Sequence, residues 1–164
     1  MDQNLTDEIS LSDYRALADF RYYIRRFQHF SEQTARAAGL VPQQHQLLLA
    51  LKGLPEGRKA TIGELAERLL IRHHSMVELI DRLAERGFIQ RLRDETDQRR
   101  VLIQLTPQGE QVLQKLALLH RDELKLEGPA LVRALRTLIK DDADTAEVSQ
   151  NGTGQSQERP GESS

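Results

Sequence analysis

The sequence predicts a mainly α-helical fold that carries one small β-hairpin. Three observations predict it. Apolar residues recur at three-and-four spacing over most of the chain. Helix-opening residues stand in front of several of those stretches. The period changes to near-alternation only across residues 88–105, on either side of a charged, apolar-free tip.

The chain has 164 residues, with 23 Lys and Arg against 25 Asp and Glu. That length suits one domain or two small ones and buries a core without staples. With Cys at 0, disulfide frameworks, thiolate zinc sites, thiol nucleophiles and cysteine redox switches are all excluded. No run approaches eighteen apolar residues, so no membrane-spanning helix is expected. The opening MDQNLTDEIS is acidic and polar and does not read as a secretory leader. The expectation is a cytoplasmic protein with no membrane partner. The net charge of -2 is unevenly placed: six acids and one base lie beyond Lys140, so the body is mildly basic and the tail acidic. Such a body is compatible with a polyanion partner.

Residues 1–11 read as a loose lead-in. A first helix is expected from Ser12 to Ala38, through Tyr14, Leu17, Phe20, Ile24, Phe27 and Ala35, with Gly39 ending it. Its aromatics point to more than one face, so it must be covered on several sides, by this domain or by a second subunit. Pro42 opens a second helix, and a turn on Pro55 and Gly57 follows. Thr61 to Glu64 has the form of a capping box and starts a short helix. After a break at Leu70–Arg72, another helix runs from His73 to Arg86 and stops at Gly87. Phe88–Arg93 and Val101–Leu105 read as strands around the polar tip 94–100. Thr106 and Pro107 are an N-cap and an N1 proline, opening a helix to Leu126. Gly128-Pro129 is expected to break it before a last helix to Lys140. The Ser-, Gly- and Gln-rich segment 141–164 reads as a disordered acidic tail.

Two helices around a short break, followed at once by a hairpin, form a winged helix-turn-helix candidate. Each part has a use on duplex DNA. The major groove admits a helix, read by side chains near its N-terminus. A narrow minor groove attracts an extended Arg, and the hairpin tip offers Arg99 and Arg100, with Asp97 close enough to orient the Arg99 guanidinium. The alternative is a solvated hairpin with incidental charges, in a winged lobe that docks proteins and does not bind DNA. The acidic tail favours that alternative.

These segments resemble the MarR-type winged-helix transcription regulators. The stretch Asp97-Gln98-Arg99-Arg100-Val101-Leu102-Ile103-Gln104-Leu105-Thr106-Pro107-Gln108-Gly109 is similar to that family's wing and following helix. Asp81–Arg91 and Glu64–Leu69 are similar to its recognition-helix end and the helix before it. The resemblance implies a homodimer, with a helical dimerisation region at 12–41 and 107–140 and a DNA-binding lobe at 42–106. It implies a minor-groove role for Arg99, with Arg100 beside it and Asp97 as orienting partner. It places base and phosphate contacts at Arg72, His73, His74, Ser75 and Glu78. Val77, Glu78 and the His73-His74 pair depart from the family's usual residues, which leaves the operator sequence open. The resemblance also implies a repressor on a pseudo-palindromic operator, relieved by a small aromatic effector. Tyr14, Tyr22, Tyr23 and His45 are candidates for lining the effector's space; plain interface packing is the alternative for the same residues.

No metal site is expected, because adjacent residues such as His73 and His74 point about 100° apart on a helix and cannot easily share an ion. No Gly-rich phosphate loop, G-x-S-x-G or H-E-x-x-H occurs. Neither a catalytic residue nor a cofactor is expected.

Overall fold

The computed structural model describes residues 9–139. Residues 1–8 of the expected lead-in 1–11, and the tail at 141–164, lie outside them; Leu11 already belongs to the first helix. The order is α1 (Leu11–Ala37), α2 (Pro42–Lys52), α3 (Ile62–Arg68), α4 (His73–Glu85), β1 (Ile89–Arg93), β2 (Val101–Leu105) and α5 (Pro107–Ile139). The mainly helical fold with a single hairpin is the one the sequence predicts.

Most boundaries have a local cause. Thr61 caps α3 by accepting from the Glu64 N–H at 3.2 Å. The return half of the capping box is replaced: Glu64 turns instead to Arg58 at 3.2 Å and Arg68 at 3.0 Å. Thr106 Oγ1 accepts from the Gly109 N–H at 3.1 Å and donates to the Gly87 carbonyl at 2.6 Å, so one hydroxyl caps α5 and ties it to the end of α4. Gly39 and Gly87 follow α1 and α4 in the left-handed region, at φ 76° and 75°.

One expectation fails. Gly128-Pro129 does not end a helix, and α5 runs unbroken through Pro129. Gly128 is not at positive φ, so the terminator conformation is missing. Pro129 and Lys125 are both exposed, so the carbonyl that loses its donor lies on a solvated side of the helix, where the loss costs least.

The described residues form two compact units. Residues 25–128 hold the main core: Leu40, Leu47, Leu48, Leu65, Met76, Ile80 and Leu83 are fully buried, with Phe88, Ile89, Ile103, Leu113 and Leu116 around them. Each such side chain contributes roughly 1.5–3 kcal/mol. On α5, Val112, Leu113 and Leu116 pack into this core while Leu119 and Leu124 stay exposed. In the hairpin, β1 pairs antiparallel with β2 in the register Ile89 to Leu105 and Arg93 to Val101. A bridge between Thr61 and Leu102, and the Ile103 N–H donating to the Ala60 carbonyl at 2.9 Å, stitch β2 to the segment before α3. The hairpin is therefore held against the α3–α4 pair.

The other unit joins residues 9–24 to 129–139. Ala16 and Ala134 are buried there, whereas Ile9, Leu11, Tyr14, Leu17, Val132, Leu135 and Ile139 are exposed.

Candidate nucleic-acid interface

The turn from α3 to α4 is tight. Leu70 sits at φ 53° and is 91 % exposed, while the Ile71 N–H returns to the Ala66 carbonyl at 3.1 Å. Helix α4 then starts at Arg72, whose side chain does not cap it, with no acid in its first turn. The first-turn N–H groups and the positive end of the helix dipole stay available to an anion. Met76, Leu79, Ile80 and Leu83 face the core, and Val77 is half-buried. Arg72, His73, His74 and Glu78 are exposed and Ser75 is half-buried.

The structure brings Arg72, Ser75 and Glu78 together along one groove of about 440 Å³, shared with Gln43, Leu70 and Arg82. His73 and His74 do not line it. Gln43 and Arg82 are additions to the sequence reading. Arg82 follows Glu78 by one helical turn, a spacing that already puts them on one face. Arg72 and Arg82 line this groove with Glu78, so its lining carries two cations against one acid.

At the hairpin tip the arginines differ in what holds them. Arg91 is ion-paired to Asp81. Arg93 donates to the Gln98 carbonyl at 3.1 Å. Arg100 Nε lies 3.4 Å from Asp97 Oδ2. The expected grip of Asp97 on the Arg99 guanidinium is not what forms: Asp97 Oδ1 accepts from the Arg99 backbone N–H at 3.1 Å. The two-residue spacing favours this backbone turn over a side-chain pair. Among the described residues, the Arg99 guanidinium makes no hydrogen bond or ion pair. Asp97 thus fixes the Arg99 backbone and leaves its charged end unengaged.

Beneath the tip, Asp94 is buried and fully used. Lys59 donates to it at 2.7 Å, and its other oxygen accepts from the Thr96 N–H at 2.9 Å and the Thr96 hydroxyl at 2.8 Å. These bonds, the Lys59 one first, hold its carboxyl well below the usual carboxylate range. Arg86, part of the arginine-rich stretch 86–100, is structural: it stacks 4.9 Å from the Phe88 ring centroid and donates to Gln44 at 3.2 Å.

The four effector candidates are divided between the two units. Tyr14 and Tyr22 are exposed, and Tyr22 meets Tyr23 edge-on at 5.2 Å. Tyr23 lines a polar hollow with Arg15, Asp19 and Arg133 in the unit of residues 9–24 and 129–139. His45 belongs to the other unit, in a cavity of about 780 Å³ lined by Phe27, Ser31, Leu49, His120, Arg121 and Leu124, among others. His45 is buried, and its Nδ1 has no hydrogen-bond partner. Burial, and then the neighbouring His120, push it down to about 4. In the sequence His120 has Glu123 as its neighbour on the same helix, a spacing typical of surface pairs; its contact with His45 comes only from packing between α5 and α2. Among the described residues no group of three or more His, Cys, Asp or Glu could hold a metal ion, and no helix is long and apolar enough to cross a membrane.

Comparison with known proteins agrees with this geometry. Residues 38–100 match the model of the MarR family. The chain is 30% identical over 109 residues to YkoM of Bacillus subtilis, an uncharacterized HTH-type transcriptional regulator, covering 65% of this chain and 69% of that protein. It is 26% identical to a putative transcriptional regulatory protein for the hcr operon of Thauera aromatica, covering 76% and 78%. Among solved structures it is similar to AbsC, a MarR family transcriptional regulator from Streptomyces coelicolor, with TM-score 0.63, 19% identity and coverage of 85% and 97%. It is also similar to a MepR mutant of S. aureus bound to an oligodeoxyribonucleotide, with TM-score 0.56, 18% identity and coverage of 79% and 88%. At those identities the solved structures speak for the fold, and the sequence relatives speak for the family. The chain belongs to the MarR family of transcriptional regulators.

Proposed function

We propose that this protein binds a pseudo-palindromic duplex DNA operator as a homodimer and represses transcription from it in the cytoplasm, without catalysis. The observation that carries this reading is the unengaged Arg99 guanidinium at the tip of a hairpin whose other arginines are tied to the protein. Arg99 would enter a minor groove while the α4 N-terminus enters the adjacent major groove. Arg72, His73, His74, Ser75 and Glu78 would supply the α4 contacts, with Arg100 and Asp97 supporting the wing.

Residues 12–41 and 107–140 would form the dimerisation region and 42–106 the DNA-binding lobe. The exposed Leu11, Leu17, Val132, Leu135 and Ile139 are the apolar surface a second copy would cover. Two copies would set their recognition helices about 34–36 Å apart, one duplex turn. A small aromatic effector would occupy the cavity at His45 and favour a dimer geometry that no longer fits this spacing.

Selection of bound sites from random DNA tests the reading. The expected result is an inverted repeat retained at moderate salt against non-specific competitor. No retention at any salt would leave a lobe that docks other proteins. Sedimentation of the full chain as a single protomer would contradict the dimer.

A further inference from the structure

The groove beside α4 is lined by a single acid, Glu78. Its side chain is exposed, and among the described residues it makes no hydrogen bond or ion pair. Other acids of the same lobe are taken up within the protein: Glu64 by Arg58 and Arg68, Asp81 by Arg91, Asp94 by Lys59. Arg72 and Arg82 share the groove with Glu78, yet neither is paired with it. Arg82 stands one helical turn on, where an ion pair commonly forms. The Glu78 carboxylate therefore keeps its acceptor atoms open to whatever enters the groove.

Glu78 is the sixth residue of α4, about 7.5 Å along the axis from the first. That keeps it near the end of the helix that a recognition helix turns to base edges. A carboxylate accepts hydrogen bonds and donates none. Phosphate oxygens also only accept, so they repel it, and a partner must be sought among the bases. The major groove offers two amines, cytosine N4 and adenine N6. Adenine N6 lies between two acceptors, its own N7 and the thymine O4, and these repel a carboxylate that approaches it. Cytosine N4 has an acceptor on one side only, the guanine O6; its own ring presents a C–H on the other. Guanine and thymine offer acceptors at that edge and no donor. The chemistry therefore ranks cytosine first.

We infer that Glu78 reads a cytosine in each half-site of the operator, accepting from its N4 amine, and so sets the base at one position of the recognised sequence. The inference rests on the reading of α4 as a major-groove helix and adds to it a base identity. Arg72 and Arg82, which also make no side-chain bond among the described residues, remain for the phosphates that Glu78 cannot hold. A glutamine at the same place would have the same length but would donate as well as accept. That pattern suits adenine, through N6 and N7.

Selection from random duplexes, with the full chain and with Glu78→Gln, tests this. The unaltered protein should enrich an inverted repeat with cytosine at one matched position of each half-site. Glu78→Gln should change that letter to adenine. Titration of the selected duplex then measures the contact. Replacing the cytosine of one half-site with 2-pyrimidinone, which lacks the amine, should weaken binding of the unaltered protein about fivefold or more. The same replacement should change the affinity of Glu78→Ala by less than about twofold, which separates a lost contact from an altered duplex. The modified duplex also probes the unaltered protein without any variant. An inverted repeat with the same letters for the unaltered protein and Glu78→Gln would overturn the cytosine contact and leave the DNA reading standing. So would a gain in affinity of Glu78→Gln for every sequence alike, the mark of an acid that only repels phosphate. No enriched sequence from the unaltered protein would overturn the DNA reading and this inference with it.

Discussion

Lys59 donates to Asp94 at 2.7 Å, and this pair joins the segment before α3 to the base of the wing. Lys59 also reaches the Thr96 hydroxyl at 2.6 Å, so one ammonium holds both the buried carboxylate and the turn that follows it. The base of the wing is then held by the segment before α3.

Lys59→Met should weaken operator binding by about threefold or more without removing any group that touches DNA. Its signature is a rise in Kd with an unchanged salt slope, measured by titration at several salt concentrations. Because Asp94 is held below its ordinary value, its contribution to stability is present above the unfolded carboxylate range. It is lost as pH falls through and below that range. The wing amide resonances of the intact protein should therefore hold position down to about pH 4 and change only below it.

Gly109 lies against the wing's entry. A Cβ there would meet the Phe88 carbonyl oxygen at 2.0 Å, and that atom is backbone with nowhere to go. Gly109→Ala should cost ~3 kcal/mol or more, read by urea unfolding. Gly63→Ala, where a Cβ meets nothing within 4 Å, serves as the comparison and should leave stability close to unchanged.

Leu70 is a β-unbranched but bulky residue in the left-handed region and almost wholly exposed. The conformation costs about 1–2 kcal/mol for a side chain of this kind, and exposure means its removal forfeits little burial. Leu70→Gly should gain ~0.5 kcal/mol after the larger chain entropy of glycine is deducted. Leu70→Asn, which tolerates this region at a lower entropic cost, should gain at least as much. Thermal unfolding of both variants checks this, and a lower Tm for both would contradict the strain.

His45 is kept neutral in the folded protein, at about 4 against an ordinary 6.5. Its folded value is depressed, so the unfolded chain binds a proton that the native one refuses. Stability should therefore decline as pH falls from about 6.5 toward 4 and level off below that. His45→Leu should flatten this segment of the stability profile, followed by chemical denaturation at half-unit steps of pH.

The local devices were legible in the sequence. Thr61, Thr106, Gly39 and Gly87 act within a turn of where they stand, and the alternation of residues 88–105 is set by neighbours in the chain. What was illegible depends on distant packing. Arg86 reads as one more wing cation until Phe88 and Gln44 are seen to engage it. Along α5 His120 has only Glu123 for a neighbour of note, and its contacts with Ser31 and His45 come from distant packing. Pro129 follows a local rule that the solvated side of a long helix overrides. The charges of Asp97 and Arg99 suggest a side-chain pair, but the Arg99 N–H is nearer in the chain and claims the carboxylate.

The most direct measurement compares Arg99→Ala with Arg100→Ala in operator titrations from low to moderate salt. Arg99→Ala should lose about 1–3 kcal/mol of affinity and reduce the salt slope by roughly one. Arg100→Ala, whose guanidinium is already paired with Asp97, should lose clearly less. Equal losses for the two, or no loss for Arg99→Ala, would contradict the account.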